Sequence, residues 1–146
     1  VKAALEAEGI KMGFWRIAMR PGKPMMHGQL GSMRVIGVPG NPVSSYVCTL
    51  LFVVPLIRAL LGCEVIHHRR ETAQLGRDVS ANDVREDYLR AALEERGGGT
   101  VVVTPVGHQD SSLLGNLSRA QALVIRRPFA PAAKAGSACE ILRLPE

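Results

Sequence analysis

Arg34-Val35-Ile36-Gly37-Val38-Pro39-Gly40-Asn41-Pro42-Val43-Ser44-Ser45 is a short apolar run that breaks into a proline-bracketed turn and then opens a long apolar segment. It reads as strand, loop and helix N-terminus. Gly40 lets the backbone turn tightly, Asn41 is a good N-cap, and Pro42 suits the first helical position, where its missing N–H is not needed. A helix start left open after a strand offers unpaired N–H groups and the positive end of the helix dipole, which together favour a phosphate or another oxyanion. The loop is therefore a candidate anion cradle. A well-capped strand-to-helix connection without a ligand accounts for the same signals.

A second loop, Met19-Arg20-Pro21-Gly22-Lys23-Pro24, follows the apolar run from Phe14 to Met19. Side chains two apart share a strand face, so Arg16, Ala18 and Arg20 are expected to point the same way. Between the loops, Met25 to Leu30 and a Gly31-Ser32 turn are too short for a crossover helix and fit one antiparallel strand. Both loops then leave the same edge of the sheet. Arg16, Arg20 and Lys23 and the Asn41 helix start are expected to converge on one crevice at the strand ends, where open α/β sheets bind ligands.

Phe14-Trp15-Arg16-Ile17-Ala18-Met19-Arg20-Pro21-Gly22-Lys23-Pro24, followed at matching spacing by Gly37-Val38-Pro39-Gly40-Asn41-Pro42-Val43-Ser44, closely resembles the molybdopterin molybdenumtransferase family, the MoeA and gephyrin E-domain proteins. Gly107-His108-Gln109-Asp110-Ser111-Ser112, and Leu114-Gly115-Asn116-Leu117 with Ala122-Leu123-Val124-Ile125, resemble that family's C-terminal β-barrel domain. The resemblance covers nearly the whole chain. It implies an α/β fold followed by an all-β one: the C-terminal part of a three-layer α/β (MogA-like) domain over residues 1–66, and a small β-barrel domain over 67–146.

The resemblance also implies a chemistry, the biosynthesis of molybdenum cofactor. Adenylylated molybdopterin and molybdate give the cofactor and AMP, with Mg2+ assisting, in a cytoplasmic enzyme that is usually dimeric. It carries catalytic roles onto Arg16 and Arg20, and substrate binding onto Lys23, Pro39, Gly40, Asn41, Pro42, Ser44 and Ser111. A turn residue accounts for Ser111 equally well. Arg16 and Arg20 stand where the family typically has lysines; Arg keeps the charge and favours bidentate oxyanion contacts over a point charge. The metal ligands, a GGxSxG segment and its acidic partners, are expected upstream of Val1, so no metal ligand is assigned here. The chain is expected to be a fragment without useful turnover alone. Its expected partners are the anionic pterin, other proteins of cofactor biosynthesis and a second copy of itself.

The bounds agree with this reading. A chain of 146 residues can bury a core. It opens on Val1 without a charged-then-apolar leader, which suggests a fragment and not a secreted precursor. Cys48, Cys63 and Cys139 have no paired spacing and read as reduced thiols. The formal net charge of +5 would permit nucleic-acid binding, but aromatics are only 4% and basic residues alternate with acidic ones at Arg77-Asp78 and Arg85-Glu86-Asp87. No stacking platform or basic stripe results, and nucleic acid is not expected as a partner.

Pro42 to Leu61 is long enough to span a bilayer, yet Ser44, Ser45, Thr49, Pro55, Arg58 and the capped start oppose that. A buried helix is expected, kinked at Pro55 and ended at Gly62. Val1 to Glu8 has helical character with Gly9 as its stop, and Lys11 to Met19 then reads as the first strand. His67-His68-Arg69-Arg70 marks a composition shift and a domain boundary; neighbouring cations disfavour metal binding there. Beyond it, Thr100–Val106, Leu123–Arg127 and Ala138–Leu144 read as strands. Asp83-x-x-Glu86 looks like a capping box and Leu89, Ala92 and Leu93 fit a helix, whereas the resemblance places Tyr88 to Leu93 in a strand paired with Thr100 to Thr104. The second is followed. A non-catalytic interaction module of gephyrin type remains the rival reading of function.

Overall fold

Lys2–Ala7 forms helix α1 in the computed structural model, and Gly9 stops it with φ +86°, a left-handed value that glycine adopts without strain. The structure describes residues 2–107, 109 and 119–145. It divides into two units, Val1–Ile66 and His67–Glu146.

In the first unit, β1 (Lys11–Trp15), β3 (Met26–Leu30) and β4 (Met33–Gly37) form an antiparallel sheet in the order β1-β3-β4. A two-residue strand, β2 (Met19–Arg20), lies between β1 and β3 in sequence. The expected single strand from Lys11 to Met19 is therefore interrupted. Trp15 ends β1, and Arg16 takes φ +86°, so Arg16, Ala18 and Arg20 do not share one strand face. Hydrogen bonds from Arg16 N to Met25 O (2.9 Å) and from Ile17 N to Lys23 O (3.0 Å) close the loop over itself. The chain must turn here to bring Lys23 back toward Ile17, and a continuous strand could not do that.

The long apolar segment is one helix in three pieces: α2 (Pro42–Cys48), a π turn (Thr49–Val53) and α3 (Val54–Leu60). The irregularity expected at Pro55 takes the form of the π turn just before it. Val54 N–H bonds to Thr49 O, five residues back, so the donor that Pro55 lacks falls at a junction already out of α register. By length and composition Pro42–Leu60 could cross a membrane. Its burial is that of a half-covered core helix: Val43, Ser44, Val47, Cys48 and Leu50 are buried, while Ile57, Leu60 and Leu61 are exposed. Pro55 is buried as well, so the expectation of a buried helix holds along one side as far as Pro55 and fails in the last turn.

The second unit is a closed five-stranded barrel of β5 (Arg70–Leu75), β6 (Glu86–Arg96), β7 (Thr100–Pro105), β8 (Ala122–Arg126) and β9 (Ala138–Arg143). The strand order is β6-β7-β5-β9-β8, and β8 pairs back onto β6 to close the barrel. Only β5–β7 is parallel. The eleven-residue β6 serves two neighbours. Asp87–Ala91 pair with β8 and Ala91–Arg96 with β7, the two ladders meeting at the fully buried Ala91. Ala73, Leu75, Ala91, Val103, Ala122, Val124 and Ile141 form the core.

Local helix signals around Asp83 lose to this pairing, because both edges of β6 find ladder partners. The capping box does not form. Asp83 accepts from Arg85 N and pairs with the Arg85 guanidinium, while Glu86 accepts from the Tyr88 hydroxyl. The pairing with β7 begins later than the resemblance suggested: Thr100–Thr104 face Arg96–Ala92, and Tyr88–Ala91 face β8 instead.

Candidate functional site

The three-stranded sheet fixes where the two loops start. Trp15 pairs with Met26 and Met26 with Gly37, so the last residues of β1 and β4 lie in one row across the sheet. Two strand spacings separate them, about 10 Å. Both loops leave this row in the same direction, because β3 alone returns the chain between β1 and β4.

The first loop is held against the helix that the second loop opens. Gly22 is buried with φ +123°, and a Cβ built on it would stand 2.7 Å from the Cys48 Sγ. The Cys48 thiol donates to Gly22 O at 4.0 Å. Cys48 is seven residues beyond Asn41, about 10 Å along the helix axis. The Arg20–Pro21 peptide is cis. Arg20 and Lys23 are exposed on either side of this anchored turn.

The second loop departs from the expectation of an open helix start. Asn41, with φ −75° and ψ 125°, caps α2 through its side chain: Oδ1 accepts from Val43 N (3.1 Å) and Ser44 N (3.2 Å). Ser45 N bonds to Asn41 O at 2.8 Å. The residue chosen as a good cap therefore takes up the donors that an anion would have used. What remains is the dipole and the turn itself, where Gly40 is exposed with nothing within 4 Å of a would-be Cβ. Ser44 is 6% exposed and its hydroxyl lies 3.5 Å from Asn41 Oδ1, so it buttresses the cap. Pro39 is buried and Pro42 exposed.

Arg16 is exposed, and its guanidinium carbon stands 4.4 Å from the centroid of the Trp15 ring. Lys2 reaches the same ring at 5.2 Å and pairs with Glu6 at 3.6 Å. Sequence reasoning passed over Trp15; the signal was the aromatic residue directly before the basic loop. In the barrel, Gln109 is clamped to β6, accepting from Arg90 N (2.9 Å) and donating to Arg90 O (3.0 Å) and Val106 O (2.9 Å). Ser111 lies outside the described residues.

The residues from 72 to 144 match the model of the MoeA C-terminal region (domain IV), half of the chain. The chain belongs to the MoeA family. Residues 1–59 match a second model, described as a probable molybdopterin binding domain. A molybdopterin molybdenumtransferase of Haemophilus influenzae is 32% identical over 127 residues, 85% of this chain and 31% of that protein. One from Bacillus subtilis is 32% identical over 84% of this chain and 28% of its own length. The molybdenum cofactor synthesis protein cinnamon of Drosophila melanogaster is 32% identical over 93% of this chain and 23% of its own. The chain thus spans about a third or less of these relatives. Among solved structures, a molybdopterin biosynthesis MoeA protein from Pyrococcus horikoshii superposes with a TM-score of 0.78 at 25% identity, covering 99% of this chain and 34% of that one.

The MoeA resemblance brings Mg2+ with it, so its fit can be asked of the residues present. The acidic residues of the first unit are Glu6, Glu8 and Glu64, and neither loop contains one. No group of three or more His, Cys, Asp or Glu side chains gathers among the described residues. Hard divalent cations need several oxygen ligands, and this donor set does not fit one. A cavity of about 440 Å³ on the first unit lies at the far end of β1 and β3, around Lys11, Gly13, His27 and Gln29, and contains none of the residues assigned from the sequence.

Proposed function

We propose that this chain supplies the cationic, phosphate-facing part of a molybdenumtransferase site, in an enzyme of the cytoplasm that inserts molybdate into adenylylated molybdopterin and releases AMP. The observation that carries this reading is the Trp15–Met26–Gly37 row, from which both proline-glycine loops depart. Arg20 and Lys23 stand on the first loop and the capped helix start closes the second. Phosphate and molybdate are oxyanions, and guanidinium and ammonium groups meet them with charge-assisted hydrogen bonds. Arg16 adds a third cation on the same edge of the sheet.

The role of these residues is binding and charge compensation. They hold the pterin phosphate and molybdate in one place and offset the negative charge that two anions bring together. Activation of a metal-bound group is not assigned to this chain. The curated relatives named molybdopterin molybdenumtransferase support the reaction class.

Calorimetric titration of the chain with AMP and with molybdate, beside an Arg20→Ala, Lys23→Ala variant, tests the reading. Weak binding that disappears in the variant is the expected result. Binding that persists unchanged would move the anion site away from the loops, and measurable molybdenum insertion by this chain alone would overturn the restriction to binding.

A further inference from the structure

We infer that Trp15 is a positioning residue for anion capture, holding the Arg16 guanidinium by its flat face so that its in-plane N–H groups stay available to an oxyanion. The inference rests on the cationic-site reading above. Three observations support it. Arg16 lies with φ +86°, a conformation that L residues with a Cβ adopt at a cost, and such strain persists only where the surroundings impose it. Its guanidinium carbon is 4.4 Å from the Trp15 centroid, well inside the range of cation–π contact. Finally, among the described residues no carboxylate pairs with Arg16, whereas Lys2 on the same ring is already paired with Glu6.

The chemistry follows from shape. A guanidinium has five donors, all in its plane, and a planar face with none. Packing that face on an indole restrains the side chain without using a single donor. A carboxylate partner would have fixed Arg16 equally well but would have occupied the fork needed for a phosphate. Trp15 stands at the sheet end of the same row that launches both loops, so the cation it holds is on their edge. A lysine at position 16 could rest on the ring but could not offer the bidentate fork.

The test uses the 146-residue chain and AMP as probe. Affinity is measured by ligand-observed NMR for the unsubstituted chain, Trp15→Ala, Trp15→Phe, Arg16→Ala and the Trp15→Ala, Arg16→Ala double variant. Trp15→Ala should weaken AMP binding about two- to five-fold, the size expected of an exposed cation–π contact. Trp15→Phe should retain most of the affinity, and Trp15→Ala should have no further effect once Arg16 is Ala. Trp15 is the only tryptophan, so its emission should change as AMP saturates the chain, and should not change in Arg16→Ala.

Equal losses from Trp15→Ala with and without Arg16 would overturn the inference. So would no loss at all in a chain whose binding Arg20→Ala, Lys23→Ala abolishes, and either result leaves the cationic site standing. Absence of AMP binding by the unsubstituted chain, or binding indifferent to Arg20 and Lys23, would overturn the site and the inference together.

Discussion

Gly22 and Cys48 are 26 residues apart and in contact: the buried glycine lies so close to the thiol that a Cβ on it would stand 2.7 Å from Sγ. This contact sets the first basic loop onto the helix that the second loop begins. Two penalties therefore meet in Gly22→Ala, a side chain at φ +123° and a methyl group driven into sulfur. Together they should cost about 2–4 kcal/mol, read as a lower urea midpoint. Adding Cys48→Ala should recover the steric part and leave the backbone part. If Gly22→Ala costs the same with and without Cys48, the contact is not what fixes the loop.

The same burial makes Cys48 a poor nucleophile. Desolvation pushes its pKa up to about 11, so the thiolate is scarce at neutral pH. Cys139 is raised too, by burial, with Arg126 pulling the other way. Cys63 is exposed. Iodoacetamide at pH 8 should modify Cys63 first, Cys139 more slowly and Cys48 last, followed by peptide mass spectrometry. In urea the three rates should converge; early labelling of Cys48 in the folded chain would contradict the packing.

Tyr88 gives the barrel a dependence on alkaline pH. Burial, and then its hydrogen bond to Glu86 at 2.5 Å and that group's charge, hold the phenol well above its ordinary value of 10.0. The folded state thus binds the proton more tightly than the unfolded chain. The stability that results is fully present below about pH 10 and is lost as pH rises from there toward the folded value. Tyr88→Phe removes one hydrogen bond, about 1 kcal/mol at pH 8. Its deficit relative to the unsubstituted chain should shrink between pH 10 and 11.5. Urea midpoints with the same gap at both ends of that range would refute this.

The sequence was most legible where spacing left one solution. The six residues from Met25 to Leu30 cannot hold a crossover helix, so a returning strand and a common edge for both loops followed, and the register shows them. The strand β6 was not legible from its own residues. Asp83, Glu86, Leu89 and Leu93 have helical spacing, and only pairing with two distant strands reverses it. At the candidate site the cationic residues were evident, but their conformations were not. Arg16 leaves the strand because Ile17 bonds back to Lys23, a closure that no periodicity signals. Asn41 was correctly placed as a cap, and that very role removes the open N–H groups it was meant to advertise.

Asn41 can separate the two roles its position combines. Its Oδ1 satisfies Val43 N and Ser44 N, and removing it in Asn41→Ala should cost about 1 kcal/mol of stability. Asn41→Asp keeps an acceptor in the same place and is an equally good cap, with a charge that suits the helix dipole. On structural grounds alone, Asn41→Asp should therefore be as stable as the unsubstituted chain or slightly more so. The carboxylate would also put a negative charge at the turn where an oxyanion is expected to arrive. Molybdate and AMP affinity should fall in Asn41→Asp while the thermal midpoint holds, and the loss should be smaller at high salt, where the repulsion is screened. In Asn41→Ala the order reverses, with stability falling more than affinity. If Asn41→Asp binds both anions as well as the unsubstituted chain does, the second loop is a capped connection and nothing more, and the anion site belongs to Arg16, Arg20 and Lys23 alone.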